Sequence, residues 1–363
     1  MDFQYSPEQG DFRKSLRGFL SEQASAARVR EVAAAGGHDE RLWRRLCGEL
    51  ELPGLHVPSR YGGAGGSLIE TAMVFEEAGR VLAPVPLAST TLAIEAVLRM
   101  GDDEQRSRLL PGLLSGERIG AFAAAGPDVA SSATVRADQH DGRTVLDGEC
   151  SPVLHGHVAD LFVVPAEADG AVTLHVVTAD APGVTVVRLP SFDNTRPVAK
   201  LQLAHTPAEA LTASAPDEID RVLDVSRVLL AAEMLGGAEA CLELAVEYAR
   251  SRRQFDRPIG SFQAVKHTCA EMLIEIDATR ALVMFAAMSA TDRDELQITG
   301  PLAKAQAADT FVRCAGSAIQ VHGGIAFTWE HDLHLYFRRA QTTAALFGGS
   351  ARHRALVADR AGL

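Results

Sequence analysis

Apolar positions in the first third of the chain recur at three- and four-residue intervals: Phe12, Leu16, Phe19 and Leu20, then Leu42, Trp43, Leu46 and Leu50, then Ala72, Phe75 and Ala78. That is the spacing of a single buried helix face, so residues 1–118 are expected to form a helical domain. The glycine-punctuated stretch Pro58–Gly66 reads as a loop between the second and third groups. Within the second group's approach, Asp39 or His38 sits where a helix cap would stand. From 119 to 215 the period shortens. Thr144–Leu146, Asp160–Val164, Val172–Val177 and Val184–Val187 are short β-rich runs, which predict a β domain. From 216 to 363 long helical patterns return, as in a helix bundle. Inside that bundle Leu242, Ala245, Val246 and Ala249 precede, and Val265, Cys269, Met272, Leu273 and Ile276 follow, the segment Ser251–Gln263, which is therefore expected to be a loop between two core helices. The expected architecture is α+β, in three domains ordered α, β, α.

Composition narrows the class without changing this picture. A chain of 363 residues with 47% hydrophobic content can bury two or three substantial cores. The net charge of -12 disfavours general binding to nucleic acid or to a membrane surface. Five scattered cysteines with no C-x-x-C pair read as reduced thiols, neither a disulfide framework nor a metal site. With no bilayer-length apolar run and no signal pattern, a cytoplasmic location is expected.

Candidate chemistry concentrates in two segments. Ser251–Gln263 carries Arg252 and Gln254, and the planar fork of an arginine suits a diphosphate, with Pro258 stiffening the turn that aims it. A solvated basic loop is the competing reading. In the second segment, Gln320 precedes the Gly323-Gly324 pair at the end of an apolar helix. Paired glycines admit a ligand close to the backbone, and a glutamine can bond a ribose or phosphate. His322 beside them reads as a structural group or as a cofactor contact, and Trp329 as a core or interface residue. Taken together, R-x-Q-F-x-R-P-I-x-x-F-Q followed by Q-x-H-G-G-x-x-F-T-x-E resembles the acyl-CoA dehydrogenase family, over nearly the whole chain.

The resemblance implies an N-terminal helical domain, a middle β-barrel or sandwich domain and a C-terminal four-helix bundle. It also implies FAD as cofactor, an acyl-CoA substrate and an electron-transferring flavoprotein as acceptor. In the family a glutamate removes the α-proton of the thioester while flavin N5 takes the β-hydride. One FAD spans two subunits, with its adenosine-diphosphate end on the neighbour's arginine loop and Gln-Gly-Gly element. The positions here matching that end are Arg252, Gln254, Phe255, Gln263, Gln320, Gly323 and Gly324. Family relatives have polar residues like His331, Asp332 and His334 at a bundle connection, so no metal is expected there.

The chain departs from the family where the chemistry would occur. The usual base positions hold Gly348 and Ser226, neither of which can act as the base unaided. Glu233 follows on the same helical run, either as the partner of a neighbouring charge or as a relocated base. Ala125–Ser132 lacks the threonine that would bond the flavin edge, though Ser131 keeps a hydroxyl that could face substrate. Pro152–Gly156 lacks the aromatic plate and hydroxyl donor that flank the ring. Lost ring contacts beside retained diphosphate contacts are what a non-catalytic subunit of a hetero-oligomer would carry. Some actinobacterial α2β2 acyl-CoA dehydrogenases, acting on steroid side-chain CoA esters with half the FAD of a homotetramer, fit that description. The alternatives are a self-sufficient homo-oligomeric enzyme with a relocated base and a non-redox acyl-CoA-binding or assembly protein.

Overall fold

A computed structural model describes residues 5–124, 134–212 and 216–363. The stretch Ala125–Ser132, with Ser131, lies outside the described residues. Six helices open the chain: α1 (Pro7–Gln23), α2 (Ala26–Ala35), α3 (Glu40–Gly48), α4 (Leu68–Arg80), α5 (Leu87–Met100) and α6 (Asp103–Leu114). Their starts are written in the sequence. Ser6 with Gln9, Ser67 with Glu70 and Asp102 with Gln105 form reciprocal capping boxes, and the Asp39 carboxylate accepts the Leu42 N–H at 3.0 Å, as expected at one of the two cap positions.

The middle of the chain supplies β1 (Gly120–Phe122), β2 (Val135–His140), β3 (Arg143–Leu154), β4 (Leu161–Ala168), β5 (Ala171–Thr178), β6 (Val184–Leu189) and β7 (Val198–Ala210). β3 pairs with β2 and β7, β7 with β5, β5 with β4, and β4 with β2, so these five strands close on themselves like a barrel. β1 adds parallel to β4, and β6 lies antiparallel along β7. The sequence signal for β2 and β7 is weak because much of each faces solvent, as the burial of β2 shows beyond Val135.

The last part is a bundle of α7 (Pro216–Ser251), α8 (Gln263–Met288), α9 (Arg293–His322), α10 (Leu333–Ala345) and α11 (Ser350–Arg360). The expected loop between α7 and α8 is present and contains a small hairpin, β8 (Arg253–Gln254) against β9 (Arg257–Pro258). Met272 and Ile276 are buried on α8 as the periodicity implies, whereas Leu273 points to solvent at 48% exposure. Ile274 beside it is exposed as well, so α8 carries apolar side chains outside the face that this chain covers. Helix α4 crosses α7 at backbone contact: a Cβ on Gly236 would lie 1.8 Å from the Glu76 carbonyl oxygen, and one on Gly79 would lie 2.1 Å from that of Glu233. Only glycine permits that approach. Among the described residues no helix is long and apolar enough to cross a membrane, and all five cysteines are free thiols.

Candidate functional site

The Gly79–Gly236 crossing brings α4 and α7 against the barrel, and a small cavity lies at the meeting point. It is lined by Phe75, Ala78 and Ala83 with Ala88, by His155 at the end of β3, and by Arg196, Glu233 and Arg339. Its volume is about 20 Å³, room for roughly one water molecule. Charges fill the remaining space. Arg339 on α10 donates to Glu233 on α7 at 2.7 Å, to Asp193 at 2.6 Å and to the Thr195 hydroxyl at 2.6 Å. Arg196 also donates to Glu233, and to the Thr343 hydroxyl at 3.0 Å. All four charged side chains are buried.

Electrostatics follow from this crowding. Burial alone would raise the Glu233 carboxyl, but Arg196 and Arg339 outweigh it and hold the group below its ordinary value. Asp193 is likewise held down, by Arg339 and Thr195 against burial. Lys304, buried on α9, donates to the Thr343 carbonyl at 2.9 Å and is pushed down to about 7, first by burial and then by Arg227 and Arg196. His155 has its ring nitrogens buried without a hydrogen-bond partner, and burial followed by the Arg196 charge keeps it neutral.

Glu233 is therefore the partner of neighbouring charges, the first of the two readings its sequence position allows. A carboxylate clamped by two guanidinium groups is stabilised as an anion and has little tendency to take a proton. Ser226 is buried, and its hydroxyl donates to the Val222 carbonyl at 2.7 Å within the helix. Gly348 follows Phe347 at positive φ and donates its N–H to the Ala345 carbonyl at 3.1 Å. Leu154 and His155, in the stretch where the flavin ring would be flanked, are buried.

The diphosphate-type residues lie elsewhere, at the end of the bundle where α7 and α9 finish and α8 begins. Arg252, Gln254, Phe255, Gln263 and Gln320 are exposed. The two segments meet through Tyr248, one turn before Arg252, whose ring stacks on His322 with centroids 4.3 Å apart. His322 also hydrogen-bonds the Ala318 carbonyl at 2.8 Å through Nδ1. Gly323 has φ +67, a left-handed conformation that favours glycine, and it ends α9. Around Gly324 there is open space for a Cβ, so close approach of a ligand is sterically available. In the hairpin, Phe255 and Asp256 both have positive φ, and Phe255 stands 86% exposed. A two-residue turn of this hand requires such dihedrals, which a bulky aromatic adopts only at a cost of about 1–3 kcal/mol. Among the described residues, the Arg252 guanidinium has neither a hydrogen-bond nor an ion-pair partner, leaving its donors available.

Trp329 is not a core residue. It is 68% exposed, with the Arg338 guanidinium 4.7 Å from its ring centroid and His334 edge-on at 4.9 Å. Asp332 pairs with Arg30 at 2.6 Å, and His331 accepts the Leu333 N–H at 3.2 Å. Sequence reasoning passed over Asp193, Arg196 and Arg339, because an arginine in a loop or within Arg338-Arg339 has no local signal of burial.

Residues 6–117 match the family model for the acyl-CoA dehydrogenase N-terminal domain, and residues 218–362 match that for the acyl-CoA dehydrogenase C-terminal domain. The chain is 39% identical to acyl-CoA dehydrogenase IpdE2 of Mycobacterium tuberculosis over 335 residues, covering 92% of this chain and 91% of the relative. Among solved structures it resembles the Tcur3481-Tcur3483 steroid ACAD (31% identity, TM-score 0.90, 98% of each chain). It also resembles the ChsE4-ChsE5 complex of Mycobacterium tuberculosis, with 29% identity and TM-score 0.92 over 100% of this chain and 99% of that one.

Proposed function

The chain belongs to the acyl-CoA dehydrogenase family, and we propose that within it this protein is the non-catalytic subunit of a hetero-oligomeric, FAD-dependent enzyme of α2β2 type. The observation that carries this reading is the contrast between two sites. The cavity beside Glu233 is about 20 Å³ and is held shut by buried ion pairs, so it has no room for a flavin ring or an acyl chain. By contrast, Arg252, Gln254, Phe255, Gln263, Gln320 and Gly324 are exposed, with Gly323 half-buried beside them.

The exposed set fits the anionic end of FAD. Arg252 would hold the diphosphate by charge-assisted bonds, Gln254 and Gln320 would bond phosphate or ribose oxygens, and Phe255 would supply an apolar face. Gly323 and Gly324 would let the cofactor reach the backbone. FAD supplies the hydride acceptor when bound; this chain supplies orientation and a neutralising charge, while base and ring pocket belong to the partner. Since these side chains stand on an open surface, a second chain must close the site over them. The two-chain assemblies among the structural relatives support that arrangement, and the steroid ACAD among them favours a CoA ester with a bulky ring system as substrate. An electron-transferring flavoprotein would be the acceptor, as in the family generally.

The test is a flavin count on the complex purified after co-expression with a neighbouring acyl-CoA dehydrogenase-like chain. Two flavins per four chains are expected. One flavin per chain would mean that this chain's own ring pocket works, and would overturn the proposal.

A further inference from the structure

Three stacked rings join the two segments that carry the cofactor-type residues. Midway along α7 the contact with α9 is close, since Gly237 has no room for a Cβ against the Phe311 ring. At the ends of the same helices the contact is ring on ring. Tyr248 lies nearly parallel to His322, with 21° between the planes and 4.3 Å between the centroids. His331, beyond the Gly323-Gly324 turn, meets the same imidazole edge-on at 4.6 Å.

Each ring is tied by a short link to the cofactor-type set. The Tyr248 carbonyl accepts the Arg252 N–H at 2.8 Å. His322 stands two residues after Gln320 and directly before Gly323, and its Nδ1 donates to the Ala318 carbonyl in the last turn of α9. Since a carbonyl can only accept, that bond fixes the tautomer with its proton on Nδ1. Burial holds this imidazole below its ordinary value, so the ring against Tyr248 is uncharged at pH 7. His331 closes the loop that begins at Gly323: its Nδ1 accepts the Leu333 N–H at 3.2 Å, and its own N–H donates to the Thr328 carbonyl at 3.4 Å. The Tyr248 hydroxyl has no hydrogen-bond partner among the described residues, so what this side chain contributes is its ring.

We propose that Tyr248 is a positioning residue for the cofactor-type site: stacked on His322, it keeps the Arg252 loop in register with the Gln320–Gly324 turn, so that the guanidinium and the turn address one anionic ligand together. This inference rests on the function proposed above, with FAD as the ligand. A diphosphate gripped from two chain segments binds more tightly when both are in place before it arrives, because ordering them on binding subtracts from affinity. The stack supplies that order without touching the ligand.

A double-mutant cycle on the co-expressed complex tests it, with the FAD dissociation constant read by flavin fluorescence. Tyr248→Leu keeps an apolar side chain but removes the ring, and should raise the constant about three- to tenfold, the worth of an aromatic pair, in a complex still assembled by size-exclusion chromatography. Tyr248→Phe, which keeps the stack, should stay within about twofold of the original. In an Arg252→Ala background, Tyr248→Leu should cost less than about twofold, because no guanidinium is left to aim, whereas a residue acting only through general packing would show its full cost in both backgrounds. Full additivity, failure of Tyr248→Phe to restore binding, a Tyr248→Leu change below about twofold or loss of assembly would each overturn the positioning role and leave the FAD site standing. If Arg252→Ala by itself leaves the FAD constant unchanged, the cofactor reading falls and the positioning role falls with it.

Discussion

Replacing Glu233 with glutamine removes the one carboxylate that both Arg196 and Arg339 use. Arg339 retains Asp193 at 2.6 Å and the Thr195 hydroxyl, but Arg196 is left with the Thr343 hydroxyl at 3.0 Å and only the more distant Asp193 charge. Two charge-assisted bonds of about 1.5–3 kcal/mol each are lost or reduced. Breaking a buried pair by deleting one partner typically costs about 3–5 kcal/mol, and glutamine, which can still accept one bond, belongs near the lower end. Arg196→Met should cost less, because Glu233 keeps Arg339. Urea unfolding at pH 7, followed by far-ultraviolet circular dichroism, measures both. Since the Glu233 carboxyl is held below its ordinary 4.5, its contribution is present above that value and is lost as pH falls. The gap between the unmodified protein and Glu233→Gln should therefore narrow in acid. A Glu233→Gln protein within about 0.5 kcal/mol of the original at pH 7 would refute the view that these charges hold the cavity shut.

Two further outcomes are expected. The chain purified alone should turn over acyl-CoA esters at least a hundredfold, and up to about ten-thousandfold, more slowly than the assembled complex, since neither Gly348 nor Ser226 can take the α-proton; robust single-chain turnover in a dye-reduction assay would contradict this. Arg252→Ala should weaken flavin retention by the co-purified complex by about 1.5–3 kcal/mol, read by dialysis and flavin absorbance, with folding unchanged because the side chain is exposed and unpaired.

The α1 and α3 periodicities and the β6 run are legible because one face is buried and the other wet. α4 and β4 are buried almost throughout, and their apolar content marks them instead. The helix caps are legible as well, since a Ser6 or Asp102 three residues before a glutamine satisfies backbone donors locally. Leu273 was misplaced because α8 carries apolar residues on a side that this chain does not cover, and periodicity cannot tell a core face from a face awaiting a partner. Of the two readings of Trp329, core or interface, the core one does not hold: its ring lies against Arg338 and His334 at the surface. The family motifs drew attention to Arg252, Gln254, Phe255, Gln263 and Gln320, all exposed. They could not reveal the Asp193, Glu233, Arg196 and Arg339 network, whose members are 146 residues apart at the extreme and are adjacent only after folding. The departures from the family pattern at Gly348 and Pro152–Gly156 are legible in the sequence, but the packing around them is not.

The ion pairs around Glu233 also govern how the molecule can move. Asp193 and Arg196 come from the connection between β6 and β7, Glu233 from α7 and Arg339 from α10, so the barrel and bundle are riveted together at a dry point. A clamshell opening there would expose charges that have no other partners, and each step would be steeply uphill until water flooded the seam. Barrel and bundle should consequently melt in one cooperative transition, and whatever breathing the protein retains must be confined to its rim.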